Sequence, residues 1–258
     1  MARVDLLTYD DRPRATAVDI ARARAAALDR AHGSLPTAEL LDRVVHRLFP
    51  GEVALVSSFG AESAVLLDLV AEVAPSIPVL FVDTGRLFGE TLRHRDRLVE
   101  RLGLTDVRIL TPEPSAVAEA DPFGVLWHAD ADACCRVRKV APLARAIAPF
   151  AAWISGRKRF QAASRAAVPT FEADGSRFKI NPLATWAPEA LAARIAARDL
   201  PAHPLVAQGY PSIGCMPCTS RVAPGEDTRA GRWRGSDKTE CGIHLGLSTA
   251  QEQDGSGI

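Results

Sequence analysis

Neither sign of charge is in excess: 31 Lys and Arg stand against 31 Asp and Glu, for a formal net charge of zero. A general nucleic-acid binder carries a marked basic surplus, so that class is excluded. Long apolar runs are missing as well. The best candidate, Val140 to Ile154, is broken by Pro142, Arg145 and Pro149, short of the ~18 residues a membrane span needs. Met1 to Arg14 is polar and charged, without the apolar centre of an export signal. The expected location is therefore cytoplasmic, with neither membrane nor nucleic acid as partner. Repeats and low-complexity arrays are absent. Disorder as the main state is excluded by 47% hydrophobic and 24% charged residues. Cysteine is scarce and odd in number, five in 258 residues. In a reducing compartment such thiols serve metals or catalysis more often than disulfides.

The length allows one large domain or two small ones. Residues 15–32 are Ala/Arg-rich and helix-prone, and Thr37 to Leu48 repeats the pattern after Ser34-Leu35-Pro36. Short apolar runs then alternate with helical stretches. Val53 to Val56 precedes a helix from Ala64 to Val73, and Val79 to Val82 precedes an amphipathic stretch ending at Leu102. Val107 to Leu110 and Ala151 to Ile154 read as two further strands. This alternation predicts an α/β fold, a mostly parallel sheet with helices on both faces. The expected division is a helical region over 1–50, a principal domain over 51–245 and a polar, mobile tail over 246–258.

Ligands in such sheets bind beyond the C-terminal strand ends. Three polar, Gly-containing segments fall there: Ser57 to Ser63, Asp83-Thr84-Gly85-Arg86, and Ser155-Gly156-Arg157. The Ser58-Phe59-Gly60 turn suits an anion at a helix N-terminus, although an ordinary capped β–α turn would read the same way. It lacks the Gly-Lys-Ser/Thr ending of a Walker loop. Ser155 to Ala167 carries Arg157, Lys158, Arg159 and Arg165 with no acidic residue. A solvated charged face is one reading; a loop facing phosphate or sulfate is the one favoured by its place after a strand.

The cysteines are more specific. Cys134-Cys135 and Cys215-Met216-Pro217-Cys218 form two close pairs that suit zinc or an iron–sulfur cluster. Buried small side chains and a redox dithiol are the weaker alternatives. Lys139 follows Cys135 by four residues, which on a helix puts both on one face; from spacing alone it reads as an exposed helix lysine. Cys241 is left unpaired in Lys238-Thr239-Glu240-Cys241-Gly242-Ile243-His244. Lys238 and a protonated His244 would lower its thiol pKa and make it a nucleophile, with Arg229, Arg232 and Arg234 near the same anionic substrate.

Taken together, from about Val53 to Leu245, these motifs resemble the assimilatory sulfonucleotide reductases, specifically the iron–sulfur adenylyl-sulfate (APS) reductases that use thioredoxin. The resemblance implies an adenine nucleotide alpha hydrolase-like fold with a mobile C-terminal catalytic segment. It implies a [4Fe–4S] cluster on Cys134, Cys135, Cys215 and Cys218. Cys241 becomes the nucleophile that takes the sulfonate from APS and expels AMP. Thioredoxin, or a glutaredoxin-like reductant, then releases sulfite. Lys139 links the cluster's field to the substrate and His244 joins the catalytic set. Ser58, Phe59, Gly60, Thr84, Gly85, Gly156, Arg157, Arg165, Arg229 and Arg232 hold the nucleotide and phosphosulfate. After Gln161 the basic loop has Ala162-Ala163 where the family has Ser-Pro, which leaves Arg157 and Arg165 as alternatives for the sulfate. A reductase of the 3′-phosphorylated nucleotide (PAPS) is the nearest rival. An ATP pyrophosphatase or sulfurtransferase and a non-enzymatic zinc or redox module are more distant ones. A homo-oligomer is compatible with the sequence.

Overall fold

Four apolar segments form strands where the pattern puts them: Val53–Val56 (β1), Val79–Val82 (β2), Val107–Leu110 (β3) and Ala152–Ile154 (β4). The protein is seen in a computed structural model that describes residues 16–236, 238 and 240–244. The tail expected over 246–258 lies outside those residues, as does the segment from Met1 to Arg14. Two further strands, Phe171–Asp174 (β5) and Arg177–Ile180 (β6), pair as an antiparallel hairpin. The six-stranded order is β3-β2-β1-β4-β6-β5, with every neighbour pair parallel except β5 with β6.

Alternation along the central strands sorts side chains to two faces. Val53, Leu55, Val79, Phe81, Ala152 and Ile154 enter the larger core. Ala54, Leu80 and Trp153 enter the smaller one, against Val140, Leu143 and Ile147. Helices therefore cover both faces, as expected. On the larger side lie Ala17–His32 (α1), Thr37–Arg43 (α2), Ser63–Val73 (α3) and Gly89–Leu102 (α4). Thr16 starts α1 with a capping box to Asp19. The helix expected to run to Leu48 is α-helical only to Arg43 and continues as a π-helical turn, Val44–Leu48.

After β3 come Pro114–Ala120 (α5), Leu126–Ala129 (α6) and Ala131–Cys135 (α7). A π-helical turn, Arg136–Val140, joins α7 to Ala141–Ile147 (α8), which packs on the smaller core. Pro188–Ala197 (α9) is the last α-helix among the described residues. No described helix is long and apolar enough to cross a membrane.

The chain runs β1, β2, β3 in one direction across the sheet and then returns to the other side of β1 with β4. Strand order thus reverses between β1 and β4, the switch point where an open α/β sheet leaves a crevice at its C-terminal edge.

Candidate active site

That crevice is a cavity of about 590 Å³, the size of a small-molecule site. Ser57, Ser58, Gly60 and Glu62 after β1 form one wall, and Ser155 to Lys158 after β4 form the next. Asp227, Arg229, Arg232 and Gly214 close a third side, and Lys139, Cys241, Ile243 and His244 complete the lining. Phe59 adopts a left-handed φ of 48°, uncommon for a bulky residue. Its fully buried ring meets Phe81 edge-on, with 5.4 Å between centroids. That turn sends Phe59 into the core and leaves Ser58 and Gly60 on the wall. Just beyond, α3 begins without a side-chain cap, so its first-turn amides suit an anion.

The basic loop is built into the wall. Lys158 Nζ and Gln161 Nε2 both donate to Glu62 Oε2, at 2.7 and 2.6 Å. Arg165 Nε and Nη2 fork onto the Glu240 carboxylate at 2.7 Å each, and its Nη1 donates to Gln161 Oε1. Burial works against the Glu240 carboxylate, but Arg165, Arg229 and the Cys241 amide together outweigh it and hold the pKa below the usual range. Arg157 pairs with Glu172, while burial and the neighbouring Arg165 bring its pKa down to about 10. Lys179, 3% exposed, lies 4.6 Å from the Trp153 ring centroid, and burial with Arg157 lowers it to about 7. Arg232 lies under the same burial, and its Nε has no hydrogen-bond partner among the described residues.

Cys241 shares a hydrogen bond with Cys135. That bond, then Lys139, the Ile243 amide and Arg232, hold the Cys241 thiol well below its ordinary pKa against the opposing effect of burial. Burial disfavours the Lys139 ammonium, but Cys241, Cys215 and Cys135 overcome this and raise its pKa. Lys139 is therefore a cavity cation, not the exposed helix lysine its spacing suggests. His244 corrects a second expectation. It stacks on Trp153 at an interplanar angle of 8°. Burial, followed by Lys179, Arg165, Arg157 and Arg229, pushes its pKa well below 6.5. The imidazole is neutral at neutral pH and supplies no charge to Cys241; Lys139 and Arg232 do.

The two cysteine pairs meet beside this site. Cys134, Cys215 and Cys218 are close enough to act on one another electrostatically, and Cys135 faces Cys241. All five cysteines are free of disulfides. Thr84 Oγ1 lies 3.3 Å from Cys215 Sγ, and Arg138 Nη1 donates to the Thr84 carbonyl. Met216 N–H donates to the Arg86 carbonyl, joining the Cys215–Cys218 turn to the loop after β2. Among the described residues no three Cys, His, Asp or Glu side chains converge as one metal ion requires. Four thiols from two segments are a donor set that suits either zinc or an iron–sulfur cluster.

Of the residues assigned to substrate, Ser58, Gly60, Gly156, Arg157, Arg165, Arg229 and Arg232 line the cavity. Phe59 belongs to the core and shapes the turn. Thr84 and Gly85 stand outside the wall: Thr84 is fully buried on Cys215, and Gly85 donates to the Asp83 carboxylate. Arg234 is exposed and paired with Glu226 instead of the substrate space. Sequence reasoning missed Trp153, Lys179 and the ion-pair role of Glu240. Only Glu240 carried a signal, its place beside Cys241.

Residues 52–221 match the phosphoadenosine phosphosulfate reductase domain. A protein named adenosine 5′-phosphosulfate reductase from Mesorhizobium japonicum is 56% identical over 86% of this chain and 88% of its own. One named phosphoadenosine 5′-phosphosulfate reductase from Gloeobacter violaceus is 43% identical, over 81% of this chain and 88% of its own. In three dimensions the chain is similar to phosphoadenylyl-sulfate reductase from Candida auris, solved as a phosphate complex. The TM-score is 0.65 at 25% identity, covering 78% of this chain and 97% of that one. The switch-point cavity sits on the adenine nucleotide alpha hydrolase-like fold expected from the motifs, and the chain belongs to the phosphoadenosine phosphosulfate reductase domain family.

Proposed function

We propose that the protein reduces adenosine 5′-phosphosulfate to sulfite and AMP in cytoplasmic sulfate assimilation, with thioredoxin or a glutaredoxin-like protein as reductant. The observation that carries this reading is an unpaired thiol, Cys241, on the wall of a cation-lined cavity at the sheet's switch point, with Lys139, Arg157, Arg165, Arg229 and Arg232 on the same lining. The name of the Mesorhizobium japonicum relative supports the choice of nucleotide.

The thiolate of Cys241 attacks the sulfur of the phosphosulfate. A sulfur–sulfur bond forms as the sulfur–oxygen bond to phosphate breaks, and AMP leaves with the electron pair. The arginines and Lys139 offset the repulsion between a thiolate and an anionic substrate. Neutral His244 orients groups in the cavity without adding charge. A thiolate of the reductant then attacks Cys241 Sγ, sulfite departs, and the reductant's second thiol resolves the mixed disulfide and restores Cys241. The two electrons come from the reductant, which ends as its own disulfide.

Cys134, Cys135, Cys215 and Cys218 would hold a [4Fe–4S] cluster, which when bound supplies fixed charge beside Lys139 and not electrons to the substrate. Lys139 and Arg232 line the same cavity as Cys241 and are the cations that favour its thiolate. The Gloeobacter violaceus relative's name favours a second reading, turnover of the 3′-phosphorylated nucleotide. Steady-state assays with each nucleotide, thioredoxin and thioredoxin reductase test both. Sulfite and AMP in equal amounts, with the higher kcat/KM for APS, are expected. Absence of sulfite from both nucleotides would refute the reductase reading.

A further inference from the structure

The segment bearing Cys241 reaches the cavity through contacts of different kinds. Ile243 packs on the smaller core, and His244 stacks on Trp153. Lys238 pairs with Asp132. Glu240, next to the nucleophile, instead makes an ionic contact to the basic loop. Its carboxylate takes the Nε and Nη2 hydrogens of Arg165, and Arg229 Nη2 lies 3.8 Å from Oε1. The side chains of Arg165 and Glu240 are 8% and 11% exposed. Glu240 sits behind the two arginines, which themselves line the cavity.

A guanidinium has five N–H donors in one plane. Three of them are engaged in Arg165: two by Glu240 and one by Gln161. Gln161 in turn donates to Glu62, which also takes Lys158. A continuous polar chain thus runs from the loop that opens α3, through the basic loop, to the residue before Cys241.

We propose that Glu240 is a positioning residue, whose carboxylate, clamped by Arg165, docks the Cys241 thiol at the cavity and ties that docking through Gln161 to Glu62. The proposal rests on Cys241 as the nucleophile. A buried forked pair gives direction that the apolar contacts of Ile243 cannot, because the fork accepts a single geometry.

The test uses the full chain with its metal content intact and no substrate. Iodoacetamide labelling of Cys241 is measured at its high-pH plateau, so that thiol acidity drops out, together with amide exchange over 240–244. Glu240→Gln should raise both rates at least about tenfold by releasing the segment locally, with exchange in β1 and β4 unchanged. Glu240→Asp should recover part of the protection. Arg165→Lys, which keeps the charge but cannot make the fork, should release the segment too. With APS, Glu240→Gln should lower kcat about tenfold and change KM less than about threefold, a split that general destabilisation would not produce. Labelling and exchange within twofold of the parent chain in both Glu240→Gln and Arg165→Lys would overturn the proposal. The labelling arm needs no turnover. Release in those variants, alongside a parent chain that makes no sulfite, would support the latch and refute the reductase reading separately.

Discussion

In the proposed reaction Cys241 concentrates the chemistry in one sulfur. Replacing it by serine keeps the size and removes the soft nucleophile. Cys241→Ser is expected to lose sulfite formation by about a thousandfold or more, with AMP affinity within about twofold by calorimetry. Undiminished turnover would refute the role. The unpaired position and Cys-Gly-Ile-His setting of Cys241 were legible in the sequence, and so were six arginine and glycine positions on the wall: Gly60, Gly156, Arg157, Arg165, Arg229 and Arg232. Thr84 was not, because a polar residue after a strand end can turn toward the cavity or toward a neighbour, and Cys215 claims its hydroxyl. The state of His244 was equally hidden. Its neighbours Lys179, Arg157 and Arg165 come from distant positions in the chain, and together with burial they keep it neutral. Nor does spacing predict that Glu240 meets Arg165, 75 residues away.

At the scale of elements, the turn before the second cysteine pair holds Arg232 in place. A Cβ on Gly214 would lie 2.6 Å from Arg232 Cζ, so Gly214→Ala must push that side chain aside. The expected result is a KM for APS raised about tenfold, the loss of one charged hydrogen bond, with melting temperature nearly unchanged; an unaltered KM would count against Arg232 as an anion ligand. A second pairing joins α4 to the segment after α9. The His94 and His203 rings lie tilted against each other with centroids 4.8 Å apart, Thr91 meets His203 Nε2 at 3.1 Å, and burial lowers both histidines to about 4. Both folded values lie below the ordinary 6.5, so the unfolded chain takes up protons first as pH falls. Stability should be full above about pH 6.5 and decline toward pH 4, by at least about 1 kcal/mol, or 2–4 °C in Tm. Urea titrations at both ends of that window check this, and His94→Gln should flatten the slope. Strands β1, β2 and β4 were readable because burial on both faces makes them continuous apolar runs. The β5–β6 hairpin was not. Asp174 and Lys179 interrupt its pattern, yet both are buried beneath the cavity, where Asp174 accepts from Trp153 and Lys179 covers its ring.

Across the whole molecule, zero net charge conceals a strongly uneven distribution. Arginines and lysines gather at the switch point, and each wall cation named here is matched locally by Glu62, Glu172 or Glu240, or faces the thiols. On the proposed function, the five cysteines divide into four that would share a donor site and one, Cys241, on the cavity wall. Anaerobic preparations should contain iron and acid-labile sulfide with absorbance near 400 nm. Cys134→Ser or Cys218→Ser should remove the iron, while Cys241→Ser should keep it; stoichiometric zinc in place of iron would contradict the assignment of a cluster. The account's central claim, that Cys241 takes the sulfonate from the nucleotide, is tested most directly by incubating the reduced protein with APS and no reductant, then analysing its peptides by mass spectrometry. The account predicts one sulfonate on the Cys241 peptide, formed together with one AMP and removed by thioredoxin. An unmodified Cys241 peptide alongside released AMP, or a sulfonate on another cysteine, would contradict it.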